Sequence, residues 1–432
     1  MGLVLLGIGS RGDLAPLLAL AGECRSRGAE VTVVALRDYA GLVGAAGAVH
    51  VPVDADVAEA MWHPDSTTRR LMLAQPGLMF LGMTTRMRRA AAQVVEAVER
   101  AVRPGDTVVA GLATAGVAVA LAPRHPVVLA LFAPVLPSDD PAGTVMAAGL
   151  AGVRVPGRAT RLTSSVGWLM SVEMSGRAGR LMRHRNGAGR GDLIAAEALG
   201  LRILLAADPA LVPPSSSWPT GVRQTGFWTR SARLHVEESR GGAVPEPGTA
   251  AGQQDWSGRL EAFLAAGPAP VYVGFGTCPV ADPDADLEKF VRAARLAGVR
   301  LVTQPSPGAH PASHLGDDVL VLGEAPHDLV FGEMAAVVHH GGAGTMSTAV
   351  RAGVPSAVVP HLGDQGYWGR RVAELGLGPR PVPRARLTTR RLAGLLRTLT
   401  GPEAPRMRAR ALATAAELRT DGVSVAADAL LR

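Results

Sequence analysis

Apolar and polar positions fall in blocks whose period switches between that of a buried strand and that of a helix. Leu3 to Ile8 is an apolar run ending in Gly and Ser, Leu14 to Arg25 carries helical spacing until Gly28 stops it, and Val31-Thr32-Val33-Val34-Ala35-Leu36 is β-branched. The opening therefore predicts strand, turn, helix, strand. Apolar runs at Thr107–Ala110, Val127–Phe132 and Ile203–Ala206, with helical stretches such as Arg86–Val102 between them, continue the alternation. Runs that stay apolar throughout predict parallel strands covered on both faces. The pattern fails between Pro213 and Gln254, where Pro213-Pro214-Ser215-Ser216-Ser217, Gly241-Gly242, Pro245 and Pro247 predict a loop-rich linker. It restarts with Val271–Phe275, a helix over Leu287–Ala297, then Val299–Thr303, Val319–Leu322 and Ala335–Val338 before a Gly-rich turn. The expected organisation is a Rossmann-like domain over 1–213, a linker over 214–254, a second Rossmann-like domain over 255–411, and a terminal helical segment over 412–432.

Composition agrees with this α/β reading. At roughly 100–200 residues per domain, 432 residues make two domains. A hydrophobic content of 47% supplies large cores, and 19% charge is too little for a disordered chain. The formal net charge of +7 suggests an anionic partner, but only Lys289 among the 44 basic residues is a lysine, and aromatics are not interleaved with the arginines as nucleic-acid stacking platforms require. Nucleic acid is therefore not expected. Cys24 and Cys278 lie far apart and have no metal-ligand spacing, so neither a disulfide framework nor a zinc site is expected. The start has no basic leader and no run of about 18 uncharged apolar residues follows, so the expected location is the cytoplasm, without a transmembrane segment.

Two Gly-rich turns carry chemistry. Gly7-Ile8-Gly9-Ser10-Arg11-Gly12 is a literal G-x-G-x-x-G between a strand and a helix, which admits an NADP-dependent oxidoreductase, with Arg37 and Asp38 where a NAD enzyme places its acid. The second turn, His339-His340-Gly341-Gly342-Ala343-Gly344-Thr345, follows an apolar strand and opens a helix expected over Met346–Arg351. Small residues let backbone approach an anion closely, and a helix N-terminus presents free N–H groups to it, so a diphosphate fits. The oxidoreductase reading assigns that second turn no role.

That heptapeptide, with Gly353-Val354-Pro355, Pro360, Asp364-Gln365, Trp368 and Arg371–Pro379, resembles the nucleotide-sugar signature of family 1 glycosyltransferases. Gly9-Ser10-Arg11-Gly12-Asp13 resembles the bacterial natural-product branch, which decorates glycopeptide antibiotics and is related to sterol glucosyltransferases; Gln224–Trp228 and Val271–Thr277 also fall where that family has them. The resemblance implies a GT-B architecture, two Rossmann-like domains facing across a cleft, the acceptor held by the first and the donor by the second, with a helix over Leu412–Leu431 returning to the first. It implies that His340, Gly341, Gly342, Ala343, Gly344 and Thr345 meet the donor diphosphate, that Thr277 supports the same phosphates, that Asp364 and Gln365 meet the sugar hydroxyls, and that Ala325-Pro326-His327 borders the nucleobase.

The implied reaction is inverting transfer of a hexose or deoxyhexose from a UDP- or dTDP-sugar to a hydroxyl of an antibiotic-type aglycone. One base must take the acceptor proton. Many relatives place a histidine three residues before the proline of the first helix; here that slot holds Asp13, as in the antibiotic branch, with Asp364 in reserve and an N-cap on a helix beginning at Leu14 as the structural alternative. The helix N-terminus, His340 if protonated, and Ser10 and Arg11 reaching across from the first domain are expected to offset leaving-group charge, so no metal or cofactor is expected. Asp282, Asp284 and Asp286 read as acids at a helix start rather than as a metal site. Two further readings on the same fold are a nucleotide-sugar epimerase and a catalytically silent auxiliary protein.

Three groups remain. His310, His314, His327 and His361 read as surface residues or as supports behind the site. Met61, Trp62, Met79, Phe80, Met83, Trp168 and Met170 are candidates to line an apolar acceptor pocket, with core packing as the alternative. Residues 151–190 carry eight arginines against the single acid Glu173, an excess equal to the net charge of the whole chain. They read either as a flap meeting an acidic or carrier-bound acceptor or as a solvated loop.

Overall fold

A computed structural model describes residues 2–54, 76–145, 156–172, 176–186, 201–229, 256–278, 280–310, 315–323 and 325–432, without the side chains of 76–88, 170, 172 and 176. The chain divides into two compact units, Met1–Thr229 with Arg419–Arg432, and Arg230–Leu418.

In the first unit, β1 (Leu3–Leu6), β2 (Val31–Leu36), β3 (Val49–Val53), β4 (Thr107–Ala110), β5 (Val127–Leu131), β6 (Arg202–Leu205) and β7 (Val222–Gln224) form one sheet in the order β3-β2-β1-β4-β5-β6-β7. Every neighbouring pair runs parallel. Leu3, Leu5, Val31, Val33 and Val109 turn one face of this sheet onto Leu14, Leu17 and Leu20 of the helix Arg11–Ser26. Parallel strands are buried on both sides because their crossover helices cover both faces, which is why their sequences read as unbroken apolar runs. The order reverses between β1 and β4, and the loops leaving their C-terminal ends lie side by side: Thr114, after β4, donates its hydroxyl to the carbonyls of Leu6 and Gly111 at 3.1 Å.

In the second unit, β8 (Val271–Gly274), β9 (Leu301–Thr303), β10 (Val319–Val321), β11 (Ala336–His339) and β12 (Ser356–Val358) form a parallel sheet in the order β10-β9-β8-β11-β12. Phe290, Val291 and Ala294 of the helix Pro283–Ala297 and Leu392 and Leu396 of the helix Thr389–Thr400 pack on one face. Here the order reverses between β8 and β11. Open α/β sheets bind ligands at such reversals, outside the carboxyl ends of the strands.

Three expectations change. The linker does not begin at 214: β7 joins the sheet, and beyond it Trp228 donates Nε1–H to Thr225 Oγ1 at 2.9 Å while Thr225 donates to Leu205 O at 3.2 Å. A three-residue strand whose only aliphatic residue is Val222 leaves no apolar run to read. The terminal helix is two helices, Ala404–Glu417 in the second unit and Gly422–Leu431 in the first. Between them Asp208 accepts from Arg419 N at 2.8 Å, and Gly422 lies so close to Phe227 O that a β-carbon there would be 2.6 Å away. Ala426, Ala427 and Leu430 then complete the first unit's core, and Arg27 pairs with Asp428.

The described part of the arginine-rich segment is two helices, Gly157–Val172 and Gly176–Asn186, rather than a flap or a loop. Gly179 packs so tightly on Gly116 O that a β-carbon would lie 2.7 Å away, and Arg161 donates to Ser217 O at 2.6 Å. Arg185 pairs with Glu99. Both cysteines are buried and free, and burial pushes Cys24 up to about 11 and Cys278 up to about 12. No helix among the described residues is long and apolar enough to cross a membrane.

Candidate active site

The first unit's switch-point turn is organised by Asp13. The helix begins at Arg11, with Ser10 as its N-cap in extended backbone (φ −73°, ψ 168°), so Asp13 is the third helical residue and not the cap the sequence suggested. Its Oδ2 accepts from Ser10 N at 2.9 Å and from Ser10 Oγ at 2.7 Å. This is the acid's half of a capping box. A β-carbon on Gly9 would sit 2.7 Å from Asp13 Oδ2 and 3.1 Å from its Cβ, so a side chain there would displace this carboxylate. Both bonds land on one oxygen, which leaves Oδ1 for another proton. Arg11 is exposed at the first helical position. Tyr39, which the sequence reading passed over, has its phenol raised first by burial and then by the Asp13 carboxylate. Arg37 donates Nε–H to Asp54 at 2.7 Å.

The second unit's turn is built from small residues and neutral histidines. His339 ends β11 fully buried and accepts from Gly341 N on Nδ1 at 3.1 Å. Gly341 adopts φ +92°, and a β-carbon on it would lie 2.5 Å from Val358 Cγ1 and 3.0 Å from Gln365 O. The next helix starts at Ala343, three residues earlier than the apolar pattern indicated, so Ala343, Gly344 and Thr345 form its first turn and Met346 N makes the bond to Gly342 O at 2.9 Å. First-turn N–H groups have no acceptor within their own helix. No acidic residue occupies this turn, and Gly342 supplies no capping side chain.

His340 lies between this turn and the one after β8. A β-carbon on Gly342 would be 2.5 Å from His340 Nε2, and one on Gly276, at φ +58°, would be 3.4 Å from His340 Cε1. Thr277, next in that turn, is exposed. Burial first, then repulsion from His327, lowers His340 to about 4, so at neutral pH it is uncharged and not the cation the sequence reading offered to the leaving group. Burial likewise lowers His339 and His361 to about 3.

Asp364 and Gln365 open the helix Gln365–Glu374 beside Gly341. Asp364 is half-buried and accepts Trp368 Nε1–H at 2.7 Å, which explains the tryptophan of the motif. Gln365 turns inward: Oε1 accepts from His361 N at 2.7 Å and Leu362 N at 3.1 Å, and Nε2 lies 3.6 Å from Cys278 Sγ. Ala325 is half-buried after β10. His327 is half-buried and takes the supporting alternative: its Nε2 sits 2.8 Å from Gln304 Oε1, and its ring stacks on Phe331. His310 is exposed against Asp284, and His314 lies outside the described residues. Asp282 caps its helix through Ala285 N at 3.0 Å, whereas Asp286 is buried and paired with Lys289 and Arg384. The three acids therefore point to different partners.

Of the acceptor candidates, Trp168 is buried on the helix Gly157–Val172. Met79, Phe80 and Met83 lie on the helix Pro76–Ala101 and Met170 on Gly157–Val172, all four with side chains outside the description; Met61 and Trp62 lie outside the described residues.

Two Rossmann-like parallel sheets in one chain, each carrying Gly-rich turns at its own reversal point, define a GT-B architecture. Residues 293–427 match the family model of the erythromycin biosynthesis protein CIII-like C-terminal domain. The chain is 31% identical to a vancomycin aglycone glucosyltransferase of Amycolatopsis orientalis over 442 residues, covering 100% of this chain and 97% of the relative. It is 36% identical over 221 residues to an O-mycaminosyltylonolide 6-deoxyallosyltransferase of Streptomyces fradiae, covering 50% of this chain and 47% of the other. Among solved structures, the glycotransferase of kitacinnamycin superposes with a TM-score of 0.65 at 21% identity over 100% of this chain and 98% of its own, which shares the fold. The chain belongs to the bacterial natural-product branch of the family 1 glycosyltransferases. It is a glycosyltransferase, and the oxidoreductase reading of the first Gly-rich turn falls away.

Proposed function

We propose that this glycosyltransferase moves a hexose or deoxyhexose from a UDP- or dTDP-sugar to a hydroxyl of an antibiotic-type aglycone, with inversion and without a metal ion. The observation that carries the reading is the start of the helix Ala343–Arg351. Three first-turn N–H groups and the positive end of the helix dipole meet a loop of small residues at a strand-order reversal, with no acid in that first turn. A diphosphate there is stabilised as its charge grows on departure. The neutral His340 and the hydroxyls of Thr277 and Thr345 add donors, Asp364 meets the sugar hydroxyls, and Gln365 braces the loop that presents Asp364. The backbone at Ala325 borders the base.

Asp13 takes the acceptor proton on Oδ1 while Oδ2 stays bound to Ser10. Ser10 thus fixes the carboxylate's orientation, and Arg11 adds positive charge nearby. The acceptor belongs to the first unit, where Met61, Trp62, Met79, Phe80, Met83, Trp168 and Met170 are its candidate lining. The names of two relatives support the sugar classes, a glucosyl and a 6-deoxyallosyl group respectively.

The test is to incubate the protein with UDP-glucose and with a dTDP-deoxyhexose, alone and with glycopeptide and macrolide aglycones, after removing divalent cations with a chelator. The expected product is an aglycone heavier by one sugar, with the anomeric configuration inverted by NMR and one nucleoside diphosphate released per transfer. A changed sugar nucleotide without acceptor would instead identify an epimerase. Donor binding without turnover on any aglycone would indicate an auxiliary protein.

A further inference from the structure

We propose that Gln304 positions the donor's pyrimidine base by holding the carbonyls of Gly323 and Ala325 in place; this rests on the reading that Ala325 borders the base. Gln304 directly follows β9 and sits among groups from three parts of the second unit. Its Oε1 accepts from the Tyr272 hydroxyl on β8 at 2.8 Å and lies 2.8 Å from Nε2 of His327, the first residue of the short helix His327–Val330. Tyr272 is fully buried, which keeps its phenol protonated and a donor. Gly323 O and Ala325 O can only accept, so the NH2 must face them and Oε1 must face Tyr272 and His327, which fixes the amide orientation. The two hydrogens on Nε2 then go to Gly323 O at 2.7 Å and Ala325 O at 3.2 Å.

Gly323 and Ala325 have no side chain able to fix their own peptide groups. Two carbonyls drawn to one NH2 do so for them. The rest of the network is stiff: His327 stacks on Phe331 with ring centroids 4.6 Å apart and meets Tyr272 edge-on at 5.5 Å, and Tyr272 meets Phe331 at 5.0 Å. Uracil and thymine present one N–H between two carbonyl oxygens, so a displaced peptide group costs hydrogen bonds to the base and none to the phosphates. Gln304 is therefore a positioning residue, and base affinity is what it controls.

The test is calorimetric binding of UDP, dTDP and inorganic pyrophosphate to the full chain and to Gln304→Glu, which keeps the accepting oxygen but sets a second oxygen against two carbonyls. UDP and dTDP affinities should fall about tenfold or more while pyrophosphate affinity stays within about twofold, and the donor KM should rise with kcat within about threefold. Tyr272→Phe, which leaves both Nε2 bonds in place, should shift UDP affinity by less than threefold. Should Gln304→Glu fail to fold, the near-isosteric Gln304→Met carries the same expectation. Unchanged UDP affinity, or equal losses of UDP and pyrophosphate, in a folded variant overturns the proposal. Failure of the underlying reading looks different: the unaltered protein would bind neither nucleotide, or Thr345→Asp would bind UDP as tightly as the unaltered protein.

Discussion

The turn Gly7–Asp13 and the turn His339–Thr345 each carry the chain from the C-terminal end of a central strand into a helix, and each lies where its sheet reverses order. Their helix starts are stabilised in opposite ways. Asp13 brings a carboxylate to the third helical position and closes it on the Ser10 N–H, so the first unit's helix supplies its own anion. The second unit's helix has Thr345 at that position, no acid in its first turn and Gly342 as its cap. A helix end that neutralises its own dipole has little left for a ligand; one that does not is more receptive to an outside anion. The literal dinucleotide fingerprint therefore stands at the less receptive of the two ends.

The most severe break in this contrast is Asp13→Asn. Asparagine Oδ1 can still accept from Ser10 N, so the turn is kept, but no proton can be taken at neutral pH. Transfer should fall roughly 10²–10⁴-fold, with UDP affinity within twofold and stability within about 1 kcal/mol, read by initial rates, calorimetry and denaturant unfolding. Retained transfer would pass the base role to Asp364 or another group. The reciprocal change, Thr345→Asp, copies the first turn's device into the second. It should stabilise the protein by a few tenths of a kcal/mol and weaken UDP about 10- to 100-fold; undiminished binding would place the diphosphate elsewhere.

The same contrast explains what could be read directly from the residues. Nine of the twelve strands among the described residues were legible because parallel strands are apolar on both faces, whereas β3, β7 and β12 offer runs too short or too mixed to read; the second Gly-rich turn was legible because closely packed backbone restricts residue size over a contiguous heptapeptide. The role of Asp13 in its helix was half legible: an acid near a helix start was evident, but the first turn, Arg11-Gly12-Asp13, contains no apolar residue to mark where the helix begins. The network of Tyr272, Gln304 and His327 was not legible, since it joins residues 32 and 23 positions apart that form no motif. The charge state of His340 depends on burial, which spacing does not reveal.

A smaller effect separates the turns by acid. His339 is fully buried and held near 3 by desolvation, with His340 and His361 lowered for the same primary reason to about 4 and about 3. A histidine whose folded value lies below its unfolded value of about 6.5 stabilises the fold fully above 6.5 and loses that contribution as pH falls towards the folded value. His339 alone should then cost about 1 kcal/mol of stability per pH unit between roughly pH 6 and 4. Denaturant unfolding at pH 7, 6 and 5 measures the slope. His339→Asn, whose side-chain oxygen can still accept from Gly341 N, should reduce the proton uptake on unfolding by about one. An unchanged slope would mean that this histidine titrates normally in the folded chain.

The smallest effect is expected from the outward face of the first unit's helix Gly157–Val172, which inverts the usual pattern. Its inward positions are Thr160, Ser164, Trp168 and Ser171, while Leu162 and Leu169, 67% and 50% exposed, face out with Val166 between them. The buried hydroxyls are satisfied locally: Ser164 accepts from Ser138 N at 2.9 Å and donates to Ser138 O at 3.1 Å, and Ser171 donates to Gly167 O at 2.8 Å. A helix whose hydroxyls point inward and whose arginines accompany outward aliphatics gives no core-facing apolar stripe, which is why this stretch read as a flap or loop. Leu162→Ser and Leu169→Ser should each change stability by no more than about 0.5 kcal/mol, because surface positions contribute little. Ser164→Val, which strands the buried Ser138 N–H and carbonyl, should cost about 1–3 kcal/mol. If the leucine changes prove the more damaging, the outward face is covered in the folded protein and the inversion is not a property of the native helix.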